Sequence, residues 1–466
     1  MAKNKMRKEE TKGVKIDSTI YPDIGKPSDD TTIPSDTFCA VPWAEIACTP
    51  SGNMRMCCNS DGRRGPDGKS MNTIIKPDGS PYKLHIDNIE EAWNSDRYKT
   101  IRQEMLDGIR PEMCKRVCFA KEDAGLESMR QKFIKGRAGF KKEWFSSNTD
   151  KIELPLSDIK YIDIRLGNLC NLKCRMCSPN SSNLWVDEWP LLNGWDPNNE
   201  ADKKKIDMLK DRLGNITWPE EPEFWDNIEP LLPNIELLYV LGGEPTLITQ
   251  QYKLYDMCIE KDVAKNIILI YNSNVTNVPK KMIEYWSYFK RVRLGASIDG
   301  YDEVNKYIRF PANWKSIEKN MLTLLKQDID LEIHCTVQMY NILYLKELID
   351  WANKIGTSIY MRPLQDPNYL CTQVLPKELK VLAREKLKGY EDYRGLKGIL
   401  SFMDKKDLTD LYPTFLEKTK IIDESRKQNL FDIVPEFKLT YQSILKDQVY
   451  EFTKEGYDIE YTKTEI

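Results

Sequence analysis

The run Cys170-Asn171-Leu172-Lys173-Cys174-Arg175-Met176-Cys177 sits directly behind an apolar, strand-like stretch at residues 159–166. Its cysteines are spaced C-x3-C-x2-C. Three thiolates this close can hold three irons of a four-iron cluster and leave the fourth iron open. An open metal position belongs to a site that performs chemistry rather than one that only scaffolds. With 12 Cys in 466 residues, chance would give such a triplet about 0.01 times per chain. The structural alternative is a zinc knuckle lacking its fourth ligand, or three buried thiols.

Two further motifs weigh against that alternative. Leu241-Gly242-Gly243-Glu244-Pro245 follows the strand-like run 235–240, and Ser297-Ile298-Asp299-Gly300 follows another, with Arg309 beyond it. Together with the cysteine triplet they resemble the motifs of the radical S-adenosylmethionine (SAM) enzymes, over roughly residues 155–370. The resemblance implies that Cys170, Cys174 and Cys177 carry a 4Fe-4S cluster whose open iron is chelated by SAM. Reductive cleavage of SAM then gives methionine and a 5′-deoxyadenosyl radical that abstracts a substrate hydrogen.

The resemblance also assigns SAM contacts. Gly242 and Gly243 would let backbone approach the ligand, where a Cβ would clash. Glu244 would accept from the SAM amino group. Ser297 and Arg309 would hold its ribose and carboxylate, the planar guanidinium suiting a carboxylate. Asn274 resembles the Asn of a Thr-Asn-Gly after the third strand of relatives, with Val275 in place of the Gly; a turn-former is its structural alternative. Met176 stands where relatives usually have an aromatic near the adenine, and its polarizable thioether can pack on a ring edge. Gln338 and Asn341 could reach the adenine or ribose, a helix cap being as reasonable for Asn341.

Composition is that of an ordinary globular protein, with 41% hydrophobic and 30% charged residues and a net charge of −3. That balance gives no global signal for nucleic acid or an anionic membrane, and leaves a local basic channel open. The charged MAKNKMRKEETKG start lacks the apolar core of a signal peptide, and no stretch approaches the ~18 apolar residues of a membrane span. These features predict a cytoplasmic protein, where tightly spaced cysteines read as metal ligands rather than disulfides. Only two histidines are present, His85 and His334, so proton transfers would fall to Asp, Glu, Lys, Tyr or Cys.

The pattern divides the chain into a flexible leader (1–35), a cysteine-bearing unit (36–135), a connector (136–158), a strand–helix repeat (159–375) and a helical C-terminal extension (376–466). Strands are predicted at 159–166, 235–240, 266–272, 291–297, 331–337 and 358–362. Helical faces are predicted from Ile248, Tyr252, Tyr255 and Ile259, and from Leu345, Leu348, Ile349 and Ala352, with Gly356 as a stop. Strands alternating with helices predict an α/β fold with a parallel sheet and right-handed crossovers. The resemblance makes that sheet a partial (β/α)6 barrel, with active residues beyond the C-terminal ends of the strands. The insertion at 180–232 carries Trp185, Trp189, Trp195, Trp218 and Trp225, read as packing ahead of a substrate platform.

Cys39, Gly52 and Cys57 fit the C-x(9–15)-G-x4-C opening of the twitch and SPASM auxiliary-cluster domains, and Cys114 and Cys118 follow. The chain thus resembles radical SAM proteins with an N-terminal twitch domain, a small α+β unit. The implied ligands of a second 4Fe-4S cluster are Cys39, Cys57, Cys114 and Cys118, with Cys48 and Cys58 as competitors. Four thiolates would suit a structural zinc equally well, so spacing leaves the metal open. Cys258 and Cys335 read as core, and Cys371 as a weak candidate for a proton or hydrogen donor.

The expectation is a radical SAM enzyme of oxidoreductase or maturase type, carrying out a redox-type modification of a peptide or small molecule. Flavodoxin or ferredoxin would supply the electron. Two other readings stay open: action on a nucleotide or RNA, revealed by salt-dependent binding, and a non-catalytic zinc-binding scaffold.

Overall fold

The computed structural model describes residues 33–63, 70–123, 127–135 and 150–438. Nearly all of the leader, residues 136–149 of the connector and residues 439–466 of the C-terminal extension lie outside the described residues.

Eight strands form one sheet: β1 (Glu45–Cys48), β2 (Met54–Arg55), β3 (Tyr161–Arg165), β4 (Leu237–Leu241), β5 (Ile268–Ser273), β6 (Arg291–Ser297), β7 (Asp330–Val337) and β8 (Ile359–Pro363). Their order is β2-β1-β3-β4-β5-β6-β7-β8. From β3 to β8 every pair is parallel, and a helix-bearing crossover joins each strand to the next. All six strands predicted from the sequence are present within a few residues. Their Ile, Leu and Val content follows from burial on both faces. In β8 Ile359 and Met361 enter the apolar core, while Tyr360 and Arg362 alternate to the other face.

The N-terminal unit shares this sheet. β1 adds parallel to β3, pairing Glu45 with Tyr161 and Ala47 with Asp163. β2 folds back antiparallel on β1. Farther along the unit, Phe133 meets the Tyr161 ring on β3 and Lys132 donates to the Tyr360 hydroxyl on β8 at 3.1 Å. One unit therefore touches both the first and the last barrel strand. Its apolar residues belong to the same core as the barrel's.

Of the two predicted helical faces, Leu345–Ile355 is as expected: Leu345, Leu348, Ile349 and Ala352 are buried, and Gly356 ends the helix at φ 78°. Gln250–Glu260 is rotated relative to expectation. It buries Gln251, Leu254, Tyr255 and Cys258, while Tyr252 stacks on Tyr285 of the next helix. Ile248 is buried but precedes the helix. Among the described residues no helix is long and apolar enough to cross a membrane.

Candidate active site

Gly167, at φ 102°, turns the chain out of β3 into the cysteine loop. The loop has no regular structure, so its backbone groups need partners elsewhere. The Cys170 N–H donates to Asn183 Oδ1 (3.0 Å), the Ser182 hydroxyl to the Leu172 carbonyl (2.7 Å) and the Trp185 indole to the Cys174 carbonyl (3.0 Å). The Lys173 and Arg175 N–H groups donate to the carbonyls of Phe310 (2.6 Å) and Ile308 (2.8 Å). The insertion at 180–232 thus secures the loop on one side and the segment flanking Arg309 secures it on the other. Trp185, Trp218 and Trp225 are buried as packing.

Burial pushes the Cys170 thiol up to about 12, with Cys174 adding to it. A hydrogen bond shared by Cys174 and Cys177 lowers the Cys174 thiol and raises that of Cys177. Arg309 also lowers Cys174, its Nη1 lying 3.8 Å from Cys174 Sγ.

A buried ion network, which the sequence did not reveal, grips the same loop. The Arg175 guanidinium pairs with Asp423, donates to Gln428 Oε1 (3.0 Å) and stacks 3.6 Å from the Tyr307 ring centroid. Lys173 pairs with Glu188, and Glu188 accepts two hydrogen bonds from Arg426 at 2.7 and 3.0 Å. Glu188 lies on the insertion helix Trp185–Leu192, and Asp423 and Arg426 on the C-terminal helix Tyr412–Arg426. Apolar contact among Trp185, Leu192 and Ile422 holds these two helices together.

Both glycines of the pair line the cavity, and each is also closely packed by the protein, Gly242 against the Ile248 side chain. A Cβ on Gly243 would overlap the carbonyl oxygens of Leu169 and Asn168, so Gly243 packs against the cysteine loop itself. The Glu244 N–H donates to the Leu169 carbonyl at 2.8 Å. The Glu244 carboxylate, 1% exposed, accepts from Thr246 N–H (3.1 Å), Thr246 hydroxyl (2.8 Å), Ser273 hydroxyl (2.8 Å) and Asn274 N–H (2.7 Å). Burial raises its pKa, and these donors oppose the rise. Glu244 therefore ties the ends of β4 and β5 together. Asn274 extends the tie, donating from Nδ2 to Asn171 Oδ1 at 2.9 Å.

Arg309 forms a buried ion pair with Asp299 at 2.7 Å. Asp299 also accepts from the Thr336 N–H at 2.7 Å. Asn341 is no side-chain cap; its amide donates to the carbonyls of Asp299 (2.8 Å) and Thr336 (2.9 Å). Gln338 is fully buried, and neither its amide oxygen nor its nitrogen has a hydrogen-bond partner among the described residues.

In the N-terminal unit, Cys39, Cys57, Cys114 and Cys118 are electrostatic neighbours. Burial raises the Cys39 thiol, with Cys118 and Cys114 adding to the rise. Burial raises Cys57, followed by Glu45 and the other three cysteines. A π-helical turn at Lys115–Phe119 carries Cys118, which accepts from Asn59 at 3.4 Å. The two competitors turn elsewhere. Cys58 meets Glu45 and Asp163, the ligand atoms of all three lying within 4.8 Å of one another. Cys48 accepts from the Arg165 N–H at 3.4 Å. Cys258 and Cys335 are core residues. Cys371 is buried, and its thiol donates to the Leu364 carbonyl at 3.1 Å.

A cavity of about 440 Å3 joins these parts. Cys170, Cys174, Cys177, Met176, Gly242, Gly243, Glu244, Asn274, Ser297 and Arg309 all line it. The N-terminal unit contributes Cys58, Lys121 and Lys132 to its wall. The sequence reading thus found ten residues that share one cavity.

Residues 164–352 match the sequence model of the Radical SAM superfamily. The chain carries a radical SAM domain. The domain begins inside β3 and ends within the helix Leu345–Ile355. It contains the cysteine loop, the Gly-Gly-Glu turn and the Asp299–Arg309 pair. Comparison with curated proteins gives no match. Among solved structures, anSMEcpe with bound AdoMet and Kp18Cys peptide aligns at 18% identity, covering 37% of this chain and 51% of that one, with a TM-score of 0.29. This chain therefore spans about half that protein's length. SuiB of Streptococcus suis aligns at 12% identity over 69% of this chain and 66% of that one (TM-score 0.32). TYW1 with a lysine-pyruvate adduct aligns at 18% identity, over 47% and 70% respectively (TM-score 0.25).

The residues of the radical SAM domain fit the cofactors that the family implies. Three thiols sit on the cavity wall with a guanidinium beside the middle one. Gln338, whose amide is unpartnered, and Asn341 do not line that cavity.

Proposed function

We propose that this chain is a radical SAM enzyme that modifies a peptide or small molecule by a redox-type reaction within the 440 Å3 cavity. The observation that carries the reading is convergence. Three thiols from one loop, the turn after β4, Ser297 at the end of β6 and Arg309 all reach one cavity. A cluster on Cys170, Cys174 and Cys177 would supply the electron that cleaves SAM to methionine and a 5′-deoxyadenosyl radical.

The chain's own residues bind and orient. Arg309, fixed by Asp299, presents its guanidinium beside Cys174 and suits the SAM carboxylate. Glu244 and Asn274 hold the strand ends on which SAM would lie. The Arg175–Asp423 and Lys173–Glu188–Arg426 pairs keep the loop from shifting.

Cys39, Cys57, Cys114 and Cys118 would hold an auxiliary 4Fe-4S cluster. The electrostatic proximity of the four thiols supports a shared metal site, and iron analysis separates a cluster from zinc. A flavodoxin or ferredoxin would be the electron donor.

The test is anaerobic reconstitution with iron and sulfide, then reduction with SAM and an assay for 5′-deoxyadenosine. Wild type should form it and Cys170→Ala should not. Iron should fall from about eight to about four per chain in the variant. Zinc retained in place of iron, with no deoxyadenosine, would overturn the reading.

A further inference from the structure

Among the described residues, three cations on the β8 side of the cavity, Lys121, Lys132 and Arg362, form no ion pair, although the charge of Arg362 is felt by buried Asp299. Lys132 is bonded to a neutral phenol, Tyr360, at 3.1 Å. Lys132 also lies 4.7 Å from the centroid of that ring. The acids on the same wall are already engaged. Glu332 pairs with Arg394 at 3.0 Å, and Glu127 with Lys135 at 3.1 Å.

The cavity's titrating groups register this excess of positive charge. His334 is pushed down to about 3 by burial, then by Arg362, Lys132 and Arg394. Burial raises the Tyr360 phenol, yet Lys132, Arg362 and Lys121 bring it below its ordinary value. Lys121 is itself lowered, first by burial, with Arg362 and Lys132 contributing. Cations gathered this closely repel one another, and an anion between them relieves the repulsion.

We propose that the β8 side of the cavity binds an anionic oxygen group of the substrate, a carboxylate or a phosphate, between Lys121, Lys132 and Arg362. This deepens the reading of the cavity as the substrate site and rests on it. The subsite is separate from Arg309, whose partner is Asp299 and whose neighbour is Cys174. It joins two parts of the chain, because both lysines come from the N-terminal unit and the arginine from the last barrel strand. A charge-assisted bond here would fix the substrate's distance from the cysteine loop.

The test uses the reconstituted full chain and pyridoxal 5′-phosphate, an anionic aldehyde that condenses with lysine amines and is trapped by borohydride. Peptide mapping should find Lys121 or Lys132 labelled ahead of the other lysines. Pyridoxal, which lacks the phosphate, should label the same lysine roughly tenfold less, the loss expected of one charge-assisted bond. Arg362→Met should remove that preference while both lysines remain. Protection by inorganic phosphate would mark a phosphate-bearing substrate, and protection by succinate a carboxylate-bearing one. Labelling spread over surface lysines, or equal labelling by pyridoxal, would overturn the proposal. The wild-type deoxyadenosine assay separates the two failures. Its success alongside scattered labelling removes the anion subsite alone, and its failure removes the broader reading.

Discussion

Arg175, between the second and third cysteines of the loop, pairs with Asp423, 248 residues farther along the chain. Asp423 also accepts from the Tyr307 hydroxyl (2.8 Å) and the Leu430 N–H (2.7 Å). Removing one member of a buried pair leaves an uncompensated charge, at a cost of about 3–5 kcal/mol. Asp423→Ala should therefore unfold at lower denaturant than wild type and lose iron on desalting. The double variant Arg175→Met, Asp423→Leu should recover much of the stability. A double-mutant cycle in urea checks this, and additive losses would contradict the pairing.

Gly243→Ala places a Cβ against two backbone carbonyls, which cannot rotate away as a flexible side chain would. We expect a loss of roughly 1–3 kcal/mol from overpacking, with the cysteine loop displaced. Calorimetry and iron content of the reconstituted variant provide the check.

Glu244→Gln replaces a carboxylate that accepts four hydrogen bonds with a group that has one acceptor oxygen. Its amide nitrogen would face the N–H of either Asn274 or Thr246. About 1–3 kcal/mol should be lost from the unsatisfied donor. SAM affinity should fall with it, as equilibrium dialysis would report.

His334 has a folded pKa of about 3 against 6.5 for the free side chain. As pH falls through 6.5 the unfolded chain gains a proton that the folded chain does not, so stability decreases from there toward pH 3. His334→Gln should show a shallower loss than wild type across that window. Parallel curves from urea melts at successive pH values would contradict the assignment.

Cys57→Ala should lower iron by about four per chain, and Cys58→Ala should leave it unchanged, if the auxiliary cluster is [4Fe-4S]. Iron analysis with electron paramagnetic resonance decides between them.

The sheet was legible because its strands are rich in Ile, Leu and Val and bounded by turns, a pattern that survives without knowledge of contacts. The three cavity motifs were legible because cofactor chemistry demands rare residue types at fixed spacing. Asp423 and Glu188 were not, since a lone acid on a charged helix looks like any solvated one until a distant arginine is placed beside it. The packing partner of Gly243 was hidden for a related reason. Its neighbour is the Asn168–Leu169 backbone, and sequence carries no trace of which segment passes close. The rotated face of Gln250–Glu260 reflects packing on two neighbours at once, sheet and helix, where one apolar stripe had been assumed.

The placement of β1 beside β3 also bears on how the chain avoids other chains. Without β1, the barrel's first strand would present bare N–H and C=O groups along its edge, a template for aggregation. The outermost strand on that side, β2, is only two residues long, too short to recruit a partner. At the opposite margin β8 carries Arg362 and ends in Pro363, a charge and a missing donor that discourage pairing. The cysteine-bearing unit thus also acts as an edge guard, and deleting it would yield a sticky barrel rather than a smaller enzyme.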